Sequence, residues 1–143
     1  MTLQVDKVYA KFRDITESIE RLKAFKGVSL EAFLSDRDKQ DIASFRLIVA
    51  TEAAIDLCLH ILAKRLGKVA EDYAACFKLL ADQNFIDGAL ASRLARMARF
   101  RNLLVHQYWD IDYSRLYNLI TGPDLEDLED FVRQVSHFIE DKN

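Results

Sequence analysis

The chain is poor in the residues that make tight turns. It has four glycines and one proline in 143 residues, whereas average usage would supply about 17 of the two together. β-Hairpins and closely spaced turns depend on these residues, so the composition argues against a β-sandwich or a β-barrel. No segment alternates apolar and polar residues over a useful length, and the sequence contains no internal repeat or linker.

Long apolar runs and cysteines are also scarce. The longest uninterrupted apolar run covers residues 47–50, whereas a membrane helix needs about 20 such residues. The two cysteines, Cys58 and Cys76, form no C-x-x-C pair and lie among apolar neighbours. We therefore expect buried free thiols in a reducing compartment, and a cytoplasmic protein with no membrane association.

Charge of one sign does not dominate. Twenty basic and 23 acidic side chains give a net charge of −3, and half of the residues are apolar. This balance is typical of a globular chain. It excludes binding of nucleic acid through a generally basic surface but leaves a local basic site open. The length predicts one domain over residues 1–143.

Apolar residues recur at helical spacing along the whole chain. The first stripe ends before Gly27, and its members are three or four residues apart: Val5, Val8, Phe12, Ile15, Ile19 and Leu22. We predict a short turn capped by Ser29, then a long helix capped by Ser35 that ends at Gly67. That helix is apolar on almost every side, which is typical of the centre of a bundle.

Four further helices are predicted after Gly67. A short one contains Tyr73 and Cys76, a longer one runs from the cap Asp87 to about Tyr108, and Asp112 caps the next. The last helix has acidic residues at its start, where the helix dipole favours them. The predicted fold is all-α, an up-and-down bundle of four to five main helices.

An arginine interrupts the apolar stripe of the helix that follows Asp87. The stripe steps by four, three, four, three and four through Leu90, Leu94, Met97, Arg101, Leu104 and Tyr108. An unpaired buried charge is very costly, so the guanidinium needs a partner. We expect Glu52 or Asp56 of the central helix to compensate a buried arginine, either Arg101 or Arg46, and the acid that pairs with Arg101 to fix its orientation.

Beside this stripe lies a second group of polar and aromatic side chains. Asn102 and His106 are four residues apart, on a ridge about 100–140° round the helix from Arg101, and Trp109 points the same way. Four arginines occur within nine residues: Arg93, Arg96, Arg99 and Arg101. Together they predict a local anion site beside a side chain that transfers protons near neutral pH.

Residues 101–108 read Arg-Asn-Leu-Leu-Val-His-Gln-Tyr. This segment resembles the R-x4-H-x-Y motif of HepT-like toxins in the HEPN superfamily, and the order of helices is similar to that family over nearly the whole chain. The resemblance implies a HEPN-like helical bundle and a metal-independent endoribonuclease without a cofactor. It also implies a homodimer in which two motif helices face one cleft that takes an RNA substrate.

The resemblance also implies a role for each motif residue. Arg101 would neutralise the scissile phosphate, and His106 would act as general acid or base on the 2′-hydroxyl or the leaving oxygen. Asn102 would orient His106 or the substrate. Tyr108 would be the residue that a minimal nucleotidyltransferase antitoxin modifies with AMP, and we predict a half-buried Tyr108 ring with its hydroxyl at the cleft mouth.

Other interpretations of the same residues stay open. The chain could be a non-catalytic HEPN subunit that binds nucleotide or substrate for a separate nucleotidyltransferase, or a structural bundle whose motif is only a buried network. Glu52, Asp56 and His60 share one ridge of the central helix at a spacing that a divalent metal could use. The Glu-x-x-His spacing of di-metal bundles is missing there, so ion pairing is the favoured role for the two acids.

Overall fold

Seven α-helices make up most of the chain in the computed structural model, which describes residues 4–142. No strand occurs in that range. A 3-10 turn follows α1, and a π-helical turn continues α3 to Gly67, whose backbone is left-handed. The all-α prediction is confirmed. The helices are α1 (Val5–Lys23), α2 (Leu30–Leu34), α3 (Arg37–Ile61), α4 (Tyr73–Asp82), α5 (Gly88–His106), α6 (Tyr113–Thr121) and α7 (Asp124–Lys142).

Neighbouring long helices run in opposite directions. The start of α1 meets the end of α3, where the Gln4 backbone N–H donates to His60 Nε2 at 3.2 Å. Further along, Lys11 Nζ lies 3.0 Å from Asp56 Oδ2. Helices α5 and α7 are likewise antiparallel, because Asp87 at the start of α5 contacts Gln134 in the second half of α7, whereas Arg93 further along α5 contacts Asp127 at the start of α7. These pairings give the predicted up-and-down arrangement.

Helix α3 lies at the centre and contacts all six other helices. Its buried side chains face several directions, and many of them are alanines. Small side chains let the surrounding helices approach closely. Because α3 has neighbours on several sides, it lacks a continuous polar face. The core that forms around it includes Leu47, Ile55, Phe77, Leu94, Phe131 and Val135.

Side-chain caps set where most helices begin. Ser29, Asp87 and Asp112 each accept a hydrogen bond from a backbone N–H of the helix that follows, as predicted. The cap of α3 is Asp36 and not Ser35, so that prediction was wrong. Ser35 instead ends α2, because the two helices are separated by only two residues.

The two cysteines are paired. Cys58 of α3 and Cys76 of α4 form a disulfide, with Cα atoms 6.3 Å apart, and neither residue is exposed. The expectation of free thiols was therefore wrong, because the packing of α4 on α3 brings the two side chains together and sequence spacing does not reveal it. Among residues 4–142, no helix is long and apolar enough to cross a membrane.

Candidate functional site

Arg101 is the point where three helices meet. Its side chain is only 12% exposed and pairs with Glu52 of α3, to whose Oε1 the Nη2 group donates. Its Nη1 donates to Asn102 Oδ1 at 2.9 Å, and the guanidinium lies 5.5 Å from the ring centroid of Tyr73 at the start of α4. The prediction that an acid of α3 compensates Arg101 is confirmed for Glu52.

The surroundings of Arg101 are those of a core position. Leu90, Leu94, Met97 and Leu104 of the same stripe are all buried. The buried Nε–H of Arg101 has no hydrogen-bond partner among the described residues. Burial of an arginine with one donor unsatisfied costs stability, and the Glu52 carboxylate offsets much of that cost. The result is a cation held in one orientation by its neighbours.

Asp56 and His60 lie on α3 one and two turns after Glu52 but have other partners. The Asp56 carboxylate is exposed and pairs with Lys11 of α1, and His60 accepts from the Gln4 backbone. Asp56 therefore does not join Glu52 at Arg101. No group of three or more metal-binding side chains occurs within the described part of the chain, so the three residues do not form the metal site considered above.

His106 is the last residue of α5, and its side chain is exposed. Five residues separate it from Arg101, which is about 140° of rotation round the helix. Arg101 points towards α3 and α4, whereas His106 faces solvent. A single chain therefore presents the guanidinium and the imidazole on different sides of α5, as the sequence predicted.

Tyr108 lies outside the helix and outside the apolar stripe. α5 ends at His106, and the Gln107 N–H closes its last turn on Leu103 O. Tyr108 is 68% exposed, and its ring packs edge-to-face on that of Trp109, which is 72% exposed. The prediction of a half-buried ring was wrong, because the helix stops two residues before the stripe reaches Tyr108.

The four arginines of α5 do not gather at one anion site, contrary to the prediction. Arg93 Nε donates to Asp127 Oδ1 of α7 at 2.9 Å, and Arg101 turns the other way to Glu52. Arg96 and Arg99 are exposed and line a groove between α4 and α5. At about 100° per residue these four side chains spread over more than half of the helix circumference, so proximity in sequence overstated their proximity in space.

Sequence reasoning assigned Tyr73 only to the short helix before the motif and missed its contact with Arg101. The residue follows the cap Asp72, whose Oδ1 accepts from the Ala75 N–H. Its ring is 40% exposed and faces the guanidinium at a distance suited to a cation–π contact. Only the antiparallel packing of α4 on α5 brings it there, and no local motif predicts that packing.

Comparison with known proteins identifies the family of this chain. The family described as "Ribonuclease HepT-like" matches residues 15–135. The chain belongs to this family. A "tRNA nuclease HepT" of Aphanizomenon flos-aquae is 34% identical over 122 residues, which cover 85% of this chain and 82% of the relative. An "mRNA nuclease HepT" of Shewanella oneidensis is 28% identical over 127 residues, covering 89% and 94%.

A solved HEPN structure matches this HepT-like chain closely in shape. It is the tri-AMPylated HEPN toxin of Shewanella oneidensis in complex with MNT antitoxin. The two chains superpose with a TM-score of 0.84 at 27% identity, and the match covers 92% of this chain and 98% of the toxin. The HEPN-like helical bundle implied by the motif is therefore confirmed.

Proposed function

We propose that this HepT-like protein is a metal-independent endoribonuclease and the toxin of a toxin–antitoxin pair, built as a single domain over residues 1–143. The observation that carries the proposal is the orientation of Arg101, held by Glu52, Asn102 and Tyr73 on the helix that ends in exposed His106. Its relatives named as tRNA and mRNA nucleases support RNA as the substrate.

The chemistry needs only the RNA and these side chains. The 2′ oxygen forms a bond to phosphorus while the bond from phosphorus to the 5′ oxygen breaks, and this leaves a cyclic phosphate and a 5′-hydroxyl. One imidazole removes the 2′-hydroxyl proton and another returns a proton to the 5′ oxygen. Arg101 stabilises the charge that grows on the phosphate, and Asn102 holds Arg101 through the 2.9 Å contact.

Two subunits complete the site in this proposal. Arg101 and His106 of one chain point to different sides of α5, so a second copy related by a two-fold axis supplies the missing groups. Leu103 and Trp109 are exposed apolar side chains close to His106 in the sequence, at and just beyond the end of α5. Exposed apolar clusters of this kind mark protein contact surfaces, and they fit a homodimer seam beside the site.

Neutralisation would occur at Tyr108. Its exposed ring and its place two residues after His106 put the hydroxyl within reach of a modifying enzyme at the edge of the site. We propose that a minimal nucleotidyltransferase antitoxin transfers AMP to this hydroxyl. The added phosphate would place negative charge where the RNA backbone must approach, and so would block binding.

A cleavage assay in the presence of EDTA tests the proposal. Arg101→Ala and His106→Ala should each lower kcat/KM on tRNA or mRNA by at least 10²-fold, the usual scale for loss of a general acid–base group or an electrostatic stabiliser. Arg13→Ala removes an exposed cation of α1 and serves as the matched control. Full cleavage by both Arg101→Ala and His106→Ala would refute the assignment of the site. Binding of nucleotide without any cleavage by the wild type would favour the non-catalytic subunit instead.

A further inference from the structure

A groove of about 720 Å³ runs between α4 and α5. Its floor consists of small residues from both helices, so the backbones leave open space between them. Three exposed cations stand along it, Lys78 from α4 and Arg96 and Arg99 from α5. A groove with a narrow apolar floor and cationic edges is suited to a ligand that carries repeated negative charge.

The three cations have no ion-pair partner among the described residues, in contrast to their neighbours. Arg93 and Arg101 of the same helix are each paired with an acid from another helix. Two acids also line the groove. Asp72 uses one carboxylate oxygen to cap α4, and Asp82 lies at the opposite end of that helix. The middle of the groove is therefore cationic, although the whole chain is acidic.

One end of the groove leads to the candidate site. The contact between Tyr73 and Arg101 places the start of α4 beside the second half of α5, so the two helices are antiparallel. Asp72 and Arg99 line that end. At the other end the chain turns through residues 83–87 from α4 into α5. A polymer lying in the groove would leave it at the motif.

The exposed face of α5 connects the groove to the imidazole. Ser92, Arg96, Arg99, Leu103 and His106 step by four, three, four and three residues and are all exposed. They form one ridge on the solvent side of the helix. Arg99 precedes His106 by two turns, about 10 Å along the axis, so the two side chains would meet different nucleotides of one strand.

We propose that this groove binds the sugar–phosphate backbone of the RNA beside the cleavage point, through Lys78, Arg96 and Arg99. The assignment rests on the proposed ribonuclease function and extends it from the reacting phosphate to its neighbours on one strand. Contacts of this type position a strand without reading its bases. The groove therefore supplies affinity that is strongly dependent on salt and independent of base sequence.

Fluorescence anisotropy with a labelled single-stranded RNA tests the assignment. The RNA is titrated with the full-length chain in a His106→Ala background, so that it stays intact. The groove variant combines Lys78→Gln, Arg96→Gln and Arg99→Gln. Within the described residues, neither α1 nor the 3-10 turn that follows it contacts α4 or α5. A control variant that replaces three exposed cations in these two segments has the same net charge as the groove variant: Arg13→Gln, Arg21→Gln and Lys26→Gln.

The groove variant should bind RNA on the order of 10- to 100-fold more weakly near 0.1 M salt. The slope of log affinity against log salt should also be smaller in magnitude by about 2 than for the parent. The control should match the parent. With His106 restored, the groove variant should raise KM on long RNA far more than it lowers kcat. Equal affinity and equal kcat/KM in both variants would overturn the groove assignment alone, whereas a wild type that neither binds nor cleaves RNA would overturn the proposed function first.

Discussion

Replacement of Glu52 by alanine tests whether the carboxylate holds Arg101 in place. Loss of one partner of a fully buried ion pair costs about 3–5 kcal/mol, and loss of an exposed pair costs about 0–1 kcal/mol. The Arg101 side chain is 12% exposed and that of Glu52 is 44% exposed, so this pair lies between the two cases. Arg101 also keeps Asn102 and Tyr73, and we expect Glu52→Ala to lower the free energy of unfolding by about 1–2 kcal/mol.

A double-mutant cycle measures the coupling directly. Urea unfolding of Glu52→Ala, Arg101→Ala and the double variant should give a coupling free energy of about 1 kcal/mol or more, because residues in one ion pair do not act additively. Asp56→Ala is the matched control, since it lies one turn along α3 and pairs with Lys11 near the surface. Its cost should stay below about 1 kcal/mol.

Activity separates a positioning role from a purely structural one. If Glu52 orients Arg101, then Glu52→Ala should lower kcat on RNA with little change in KM, and Glu52→Gln, which can still accept a hydrogen bond, should recover part of the loss. A coupling energy near zero would refute the assignment. An increase in kcat in Glu52→Ala would do so as well, because it would mean that the carboxylate restrains Arg101 in a resting state.

Three further outcomes can be measured. Burial and two nearby lysines lower the pKa of His60 below its ordinary value of 6.5. Just below pH 6.5 the unfolded chain therefore binds more protons than the folded chain, and the free energy of unfolding should fall as the pH decreases. Urea unfolding of His60→Gln should show a weaker dependence on pH in this range. Asp87→Ala removes the 2.7 Å bond from the Leu90 N–H and should cost about 1–2 kcal/mol at pH 7, whereas Asp87→Asn should cost less in thermal unfolding. Tyr108→Phe should keep ribonuclease activity. After incubation with an antitoxin and ATP, mass spectrometry should find no AMP on this variant, and AMP on it would exclude Tyr108 as the acceptor.

Local sequence patterns predicted most of the fold, because apolar spacing and capping residues mark each helix within its own segment. The stripe from Val8 to Leu22 buries one face of α1, and the alanines and leucines of α3 suit a helix surrounded by others. Asp87 and Asp112 lie where their carboxylates cap the next helix. Patterns of this kind depend on residues within one or two turns, so the sequence contains them directly.

Two of the missed features depend on how helices pack. Cys58 and Cys76 meet only because α4 lies on α3, and Tyr73 reaches Arg101 only because α4 runs antiparallel to α5. The end of α5 at His106 was missed for a different reason. Apolar spacing continues to Tyr108, but the chain leaves the helix at Gln107, and the exposed rings after it show that spacing alone does not set a helix end.

Arg101 shows why the site was visible in the sequence at all. The stripe of α5 would be satisfied by a leucine or methionine at this position, and replacement of a buried ion pair by apolar residues is often neutral or stabilising. The chain instead carries a guanidinium there. Its Nε–H has no hydrogen-bond partner among the described residues, and Glu52 forms an ion pair with it. Stability does not explain this choice, whereas the phosphate binding that we propose for Arg101 would. A charged residue in an apolar stripe, kept at a cost to stability, is therefore the feature that points to function in this chain.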